Sequence, residues 1–481
     1  MRSFTLLLAA IWLTFAGVPS PVNADGRARY ISYEDAAAIL EALQEALPPE
    51  LRAVPKSELS SVWRGWVQRR DQEIRTRLVQ GDEDSIVNFL LFGTSFTRRP
   101  RITLSSLAQF GDRLAKSANT SPEVASFLDS IKARADDLIQ AMASPRANER
   151  LLFAQSVLEG KVLDPRAEAG RARVKEYLLT SLIRVLNEQS GYAKILQAAQ
   201  LLGDPSAEFA ERSKLFSNRG LSSDTSLLPN FAIERALSSM KARGMLVAGS
   251  VRRVAIVGPG LDFTDKQDGY DFYPQQTIQP FAIVDTLFRL GLARSPTLKV
   301  TTLDLSPRIN DHIRRARARA QSGVGYVVQL PRDAQGQWKP EALSYWTRFG
   351  DQIGAPVVPV SVPAGAGDVK VRAVRIRPSI VSALTPEDLN IVVQRLELPA
   401  AESFDLIIAT NILVYYDVFE QSLALKNIER MLRPGGFLLS NNALLELPSS
   451  LMHSVGYETV VYSDKPNDGD HIVWYQRSAD K

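Results

Sequence analysis

The chain has 481 residues, with 57 basic and 53 acidic side chains, a formal net charge of +4, and 45% hydrophobic and 23% charged residues. This is globular composition, which excludes disordered and fibrous classes, and so weak a net charge over this length gives no ground for a nucleic-acid partner. With no cysteine there are no disulfides, thiolate metal centres or cysteine nucleophiles, and His312, His453 and His471 are too scattered for a paired site, so no metal is expected.

The first element reads as an export signal. Arg2 precedes a mostly apolar run from Phe4 to Val18, Pro19 and Pro21 break it, and Val22-Asn23-Ala24 puts small residues at −3 and −1. Residues 1–24 are therefore expected to be a signal peptide. The run is shorter than the ~20 residues that span a bilayer, and nothing later is longer and as apolar. The expected location is periplasmic or secreted in a bacterial cell, without an integral membrane segment after cleavage, or cytoplasmic if the start is misassigned.

Residues 25–230 show helical periodicity. Ser32 with Glu34 and Asp35 marks an N-cap, and Ile39, Leu40, Leu43 and Leu47 form its apolar stripe. Further helices are expected from 57 to Gly81, from Asp82 onward, and at 104–117, 122–143, 146–159, 169–202 and 205–217. No strand-like alternation appears, so an all-α bundle is expected. The Ser-rich stretch 217–230 reads as the approach to a domain boundary.

Residues 231–481 alternate between strands and helices. Val251–Val257 ends at Gly258-Pro259-Gly260, Lys299–Leu303 ends at Asp304, and strands are expected at 390–394, 404–409 and 436–440. Helices are expected at 278–292, 312–321 and 418–432. This pattern predicts a parallel sheet covered on both faces, with ligands beyond the carboxyl ends of its strands.

Four segments of this half resemble class I S-adenosylmethionine-dependent methyltransferases, in order. They are Val254-Ala-Ile-Val-Gly-Pro-Gly260, Val300-Thr-Thr-Leu-Asp-Leu-Ser306, Phe404-Asp-Leu-Ile-Ile-Ala-Thr-Asn-Ile-Leu-Val-Tyr-Tyr416 and Met431-Leu-Arg-Pro-Gly-Gly-Phe-Leu-Leu439. The resemblance implies an α + α/β chain: an N-terminal helical domain, then a Rossmann-like doubly wound methyltransferase domain with insertions near 262–277 and 327–389. It implies S-adenosylmethionine as cofactor, with Gly258, Pro259, Gly260, Asp262, Asp304, Leu305, Gln394, Arg395 and Asn411 around it. Asn411 and Tyr415 would stand near the transferred methyl group. Lys266, Tyr270 and Tyr273 in the first insertion would meet a small-molecule or protein methyl acceptor. The chain departs from the family pattern in lacking a third glycine after Gly260 and in reading Gln394-Arg395 where an acid is usual. The alternative is an exported, catalytically inactive binding or scaffold protein built on the same fold.

Overall fold

A computed structural model describes residues 27–103, 106–107, 109–110, 122–202, 220–263, 270–441, 443–465 and 468–479, with 189–202 as backbone only. The signal peptide, the helix expected at 205–217 and most of that at 104–117 lie outside the described residues.

Ser32 caps α1 (Tyr33–Ala42), its hydroxyl accepting from the Asp35 amide at 3.2 Å. The next long helix, α2 (Leu59–Phe92), runs unbroken through Gly81-Asp82, where the sequence predicted a stop. Gly81 has a packing role instead: a Cβ there would lie 1.9 Å from the carbonyl oxygen of Leu221, which crosses the helix at this point. Then come α3 (Pro122–Ala143), α4 (Glu149–Gly160) and α5 (Glu168–Leu202). Asn148 caps α4 by accepting from the amides of Arg150 and Leu151. Phe89, Leu90, Leu138, Ile139, Leu158 and Leu178 form the bundle core.

Arg134 is fully buried and donates to the carbonyls of Leu90, Gly93 and Pro100. The first two belong to the end of α2, whose last carbonyls have no intrahelical donors. Arg134→Leu would leave them buried and unpaired, so urea unfolding is expected to show a loss of about 2–4 kcal/mol.

The packing does not follow the boundary drawn at residue 230. Ile31, Leu40, Trp63, Trp66 and Ile74 share one core with Ala255, Leu303, Phe419 and Leu423 of the second half. Trp63 stacks on Trp66 at 5.2 Å, and Trp66 meets Phe419 at 5.7 Å. A strand also appears where none was expected: β1 (Ala28–Tyr30) pairs antiparallel with β8 (Gln394–Leu396).

After α6 (Leu228–Ala242) the chain builds a seven-stranded sheet. Its strands are β2 (Arg253–Val257), β3 (Lys299–Asp304), β7 (Leu384–Asp388), β9 (Phe404–Ala409), β10 (Leu432–Ser440), β11 (Met452–Val461) and β12 (Gly469–Arg477). The order is β11-β12-β10-β9-β2-β3-β7, parallel from β10 to β7, with β12 antiparallel to both β10 and β11. Helices α7 (Gln279–Arg289), α8 (Pro307–Gln321) and α10 (Val418–Met431) cover the faces. The chain winds outward from β2 in both directions, so the crevice where strand order reverses opens between β2 and β9. This is the helical region followed by a Rossmann-like doubly wound domain that the sequence indicated. The second insertion forms β4 (Tyr326–Asp333), β5 (Gly354–Val357) and β6 (Val369–Ile376), an antiparallel sheet of order β4-β6-β5, with α9 (Pro340–Arg348) after β4.

The strand expected at 390–394 is a turn up to residue 393, and only Gln394 is in a strand, where β8 begins. Asn390 Oδ1 accepts from the Val392 amide, and Gln394 Oε1 accepts from the Asn390 amide, a local arrangement that competes with strand pairing. The strand that pairs with β3 is β7, where Pro386 disguises it; as an edge strand it tolerates the missing donor.

Candidate functional site

A cavity of about 990 Å³ opens at the carboxyl ends of β2, β3, β9 and β10. Gly258 and Gly260 end β2 with φ of +64° and +66°, a conformation that favours glycine. Both line the cavity; Pro259, between them, does not. Asp304 closes β3 and is 8% exposed. Its Oδ1 accepts from the Ser306 amide at 2.8 Å. Burial pushes this carboxyl up to about 7, the Ser306 amide and the Arg308 charge oppose the rise, and the charge of Asp388 adds to it. Leu305, Leu389 and Ile391 form an apolar wall beside it. A buried carboxylate next to an apolar wall at a strand end suits a sugar carrying a flat base: the acid accepts hydroxyls and the wall excludes water.

Asn411 follows β9 with φ +59°. Its amide donates to Asn441 Oδ1 at 2.8 Å, and Asn441 Nδ2 donates back to its Oδ1 at 2.5 Å. This pair ties the ends of β9 and β10 together and explains the unusual backbone. Tyr415 lines the cavity, half-buried, and its carbonyl accepts from Arg77 at 2.8 Å. Asp417 forms a capping box with Glu420 at the start of α10.

The residues of the first insertion lie elsewhere. Asp262, Tyr270 and Tyr273 are 1–3% exposed and do not line the cavity. Tyr273 donates its hydroxyl to Asp262 Oδ2 at 2.8 Å, the Arg101 guanidinium lies 4.4 Å over the Tyr270 ring, and Arg150 of α4 donates to the carbonyls of Asp262, Phe263 and Tyr273. Asp271 accepts from the amides and hydroxyls of Thr94 and Ser95. Their polar groups are spent on the junction between bundle and sheet. Lys266 lies outside the described residues. Gln394 and Arg395 are also away from the cavity, because β8 turns to pair with β1 and Arg395 forms an ion pair with Asp35 at 2.7 Å.

The sequence reading missed the roof of the cavity. Residues 221–226, whose composition reads as the approach to a domain boundary, form a strap across it. The Leu221 amide donates to the Arg77 carbonyl at 3.1 Å, the Leu261 amide to the Ser223 carbonyl at 2.8 Å, and the Thr225 amide to the Leu261 carbonyl at 3.1 Å. Arg308 donates to the Ser223 hydroxyl at 2.5 Å. Also missed were Asn230, Gln279 and Asn441, and the β11–β12 hairpin with Tyr462, Asp468 and Asp470. Asn441 was recoverable, because it ends a strand on the side where ligands bind. The strap and hairpin carry no local signal, since they reach the cavity only through long-range packing.

Residues 364–440 match the family model described as a methyltransferase domain. The matched stretch contains β9 and Pro434-Gly435-Gly436, but neither the Gly258–Gly260 turn nor Asp304. Structural similarity extends to TrmN from Thermus thermophilus, 13% identical over 52% of this chain and 52% of that one, with a TM-score of 0.24. It also extends to the glycopeptide N-methyltransferase MtfA, 10% identical over 52% of this chain and 96% of that one, with a TM-score of 0.26. The methyltransferase CcbJ from Streptomyces caelestis is 13% identical over 52% of this chain and 78% of that one, with a TM-score of 0.21. The chain thus spans about half the length of TrmN. No curated protein matches.

Proposed function

We propose that this chain, whose C-terminal half carries a methyltransferase domain, transfers a methyl group from S-adenosylmethionine to a small-molecule or protein acceptor. The observation that carries this reading is Asp304: a carboxylate at the end of β3, buried beside Leu305, Leu389 and Ile391 and facing a cavity large enough for nucleoside and acceptor together. These residues fit the adenosine part of the cofactor, Asp304 accepting the ribose hydroxyls. The bound cofactor supplies an already activated methyl group. The chain therefore has mainly to hold the acceptor in line and keep water out. Asn411 and Tyr415 stand at the strand end where orientation is needed, and the strap 221–226 covers the site.

One observation favours the second reading, an exported protein that no longer turns over. The space above Gly258 is filled by Ile412, whose Cδ1 would sit 2.1 Å from an added Cβ, and Ser223 and Thr225 press on Gly260. The export signal belongs to the proposal under either reading. Cleavage after Ala24 would leave the β1–β8 pairing intact, and N-terminal sequencing of the protein from the periplasm or medium would then begin at Asp25.

The discriminating experiment is thermal melting with S-adenosylmethionine, S-adenosylhomocysteine, ATP and NAD. Ligands that bind the folded state raise the melting temperature. A rise with the first two alone supports the enzyme, and no rise with either supports the retired fold.

A further inference from the structure

Beyond the adenosine-facing wall, the cavity runs to the β11–β12 hairpin. Among the described residues its lining includes Asp224, Asp304, Asp468, Asp470 and His471 and no Lys or Arg. Arg308 sits behind the first two carboxylates, near both. Among the described residues, no salt bridge joins a Lys or Arg to Asp468 or Asp470.

A polar track leads from the cofactor side to this end. Asn411 bonds to Asn441, Asn441 interacts with Asp470, and Asp470 Oδ2 accepts from the Tyr462 hydroxyl at 2.5 Å. Across from it, the first turn of α6 packs on the hairpin, with the Phe231 and Tyr462 rings 6.4 Å apart. That turn brings Asn230 to the cavity, 1% exposed. Its Nδ2 donates to the Ser226 carbonyl at 3.0 Å, while its Oδ1 is buried without a donor. An unpaired buried oxygen is costly, so this atom calls for a ligand N–H. Carboxylate and amide oxygens only accept. This end of the cavity therefore offers negative charge and acceptors, the complement of a charged donor.

We infer that the methyl acceptor is a primary or secondary amine, held as its ammonium at the end of the cavity lined by Asp470, Asn441 and Asn230. The inference rests on the methyltransferase reading and names the substrate class of that site. The ammonium gives one proton to the Asp470 carboxylate, which later releases it to water. The freed nitrogen lone pair attacks the sulfonium methyl carbon; an N–C bond forms as the C–S bond breaks. The bond pair goes to sulfur, leaving a neutral thioether and a methylated ammonium. Burial already pushes the Asp470 carboxyl up from its ordinary value, which suits it to take a proton.

The test is calorimetric binding to the purified protein saturated with S-adenosylhomocysteine. The probes are matched pairs: 1,4-diaminobutane against 1,4-butanediol, and 2-phenylethylamine against 2-phenylethanol. At least one amine is expected to bind about tenfold or more tightly than its alcohol. Asp470→Asn, which keeps an oxygen for Tyr462, should abolish that preference while leaving S-adenosylhomocysteine affinity unchanged. Tyr462→Phe retains the carboxylate and should keep the preference, which separates lost charge from a disturbed hairpin. Equal affinity within both pairs, no amine binding at millimolar concentration, or a preference that survives in Asp470→Asn overturns the inference. Failure of S-adenosylhomocysteine itself to bind overturns the methyltransferase reading instead, so the two failures are distinguishable.

Discussion

Gly81→Ala is expected to destabilise the protein by about 1–3 kcal/mol, although glycine to alanine inside a helix ordinarily stabilises by about 1 kcal/mol. Two effects compete at this position. Helix propensity favours alanine, because Gly81 lies well inside α2. Sterics oppose it: the new Cβ would stand 1.9 Å from the Leu221 carbonyl oxygen and 2.6 Å from its carbon. Both are backbone atoms and cannot rotate away, so either the strap lifts or the helix bends. Gly220 approaches from the other side, where a Cβ would lie 2.4 Å from the Gly81 amide nitrogen, so Gly220→Ala should behave alike. Urea unfolding measures the stability. Hydrogen exchange at the Leu221 and Thr225 amides reads the strap itself, since these donate to the Arg77 and Leu261 carbonyls. A variant that gains stability and keeps those amides protected would show that the close approach carries no weight.

Asp304→Asn is expected to raise stability at pH 8 and to weaken cofactor binding about a hundredfold. The carboxyl is pushed up to about 7 in the folded protein. In the unfolded chain it titrates near an ordinary ~3.9. Between those values the folded state holds a proton that the unfolded state releases. Stability therefore falls as pH rises from about 4 to about 7, and the penalty is complete above that. At about 1.4 kcal/mol per pKa unit, the cost is a few kcal/mol at pH 8. Asparagine keeps an oxygen for the Ser306 amide and carries no charge, so the variant should lack this pH-dependent loss. Denaturant unfolding at pH 6 and pH 8 checks it. A buried group that costs stability is what a binding site retains for its ligand. Cofactor affinity of the wild-type protein should strengthen as pH passes about 7, where the carboxylate becomes available to accept hydroxyl protons.

Strands β2, β3, β9 and β10 were legible because β2, β9 and the Phe437–Leu439 end of β10 read as buried, mostly apolar runs, whereas β7, β11 and β12 were not. Asp304, Gly258, Gly260 and Asn411 were legible because they end strands, where topology puts ligands. Two kinds of residue were not. Tyr270 and Tyr273 have the composition of a binding loop, yet Arg101 and Arg150 hold them in a junction that local sequence does not encode. The strap, Asn230 and the β11–β12 hairpin reach the cavity from segments distant in sequence, and the strap's Ser-rich composition looks like an ordinary linker. The same long-range packing carried β1 onto β8 and α1 onto α10, where Arg395 and Arg430 hold Asp35 at 2.7 and 2.6 Å.

The most direct test of the cofactor site is calorimetric titration of S-adenosylhomocysteine into the purified protein, beside Asp304→Asn. Losing a charged acceptor of two hydroxyls costs roughly 2–4 kcal/mol, or about a hundredfold in affinity. Micromolar binding by the wild-type protein, weakened by that factor in the variant, is the expected result. A folded wild-type protein that gives no heat at millimolar ligand, or a variant that binds as tightly as wild type, would contradict a cofactor site at the end of β3.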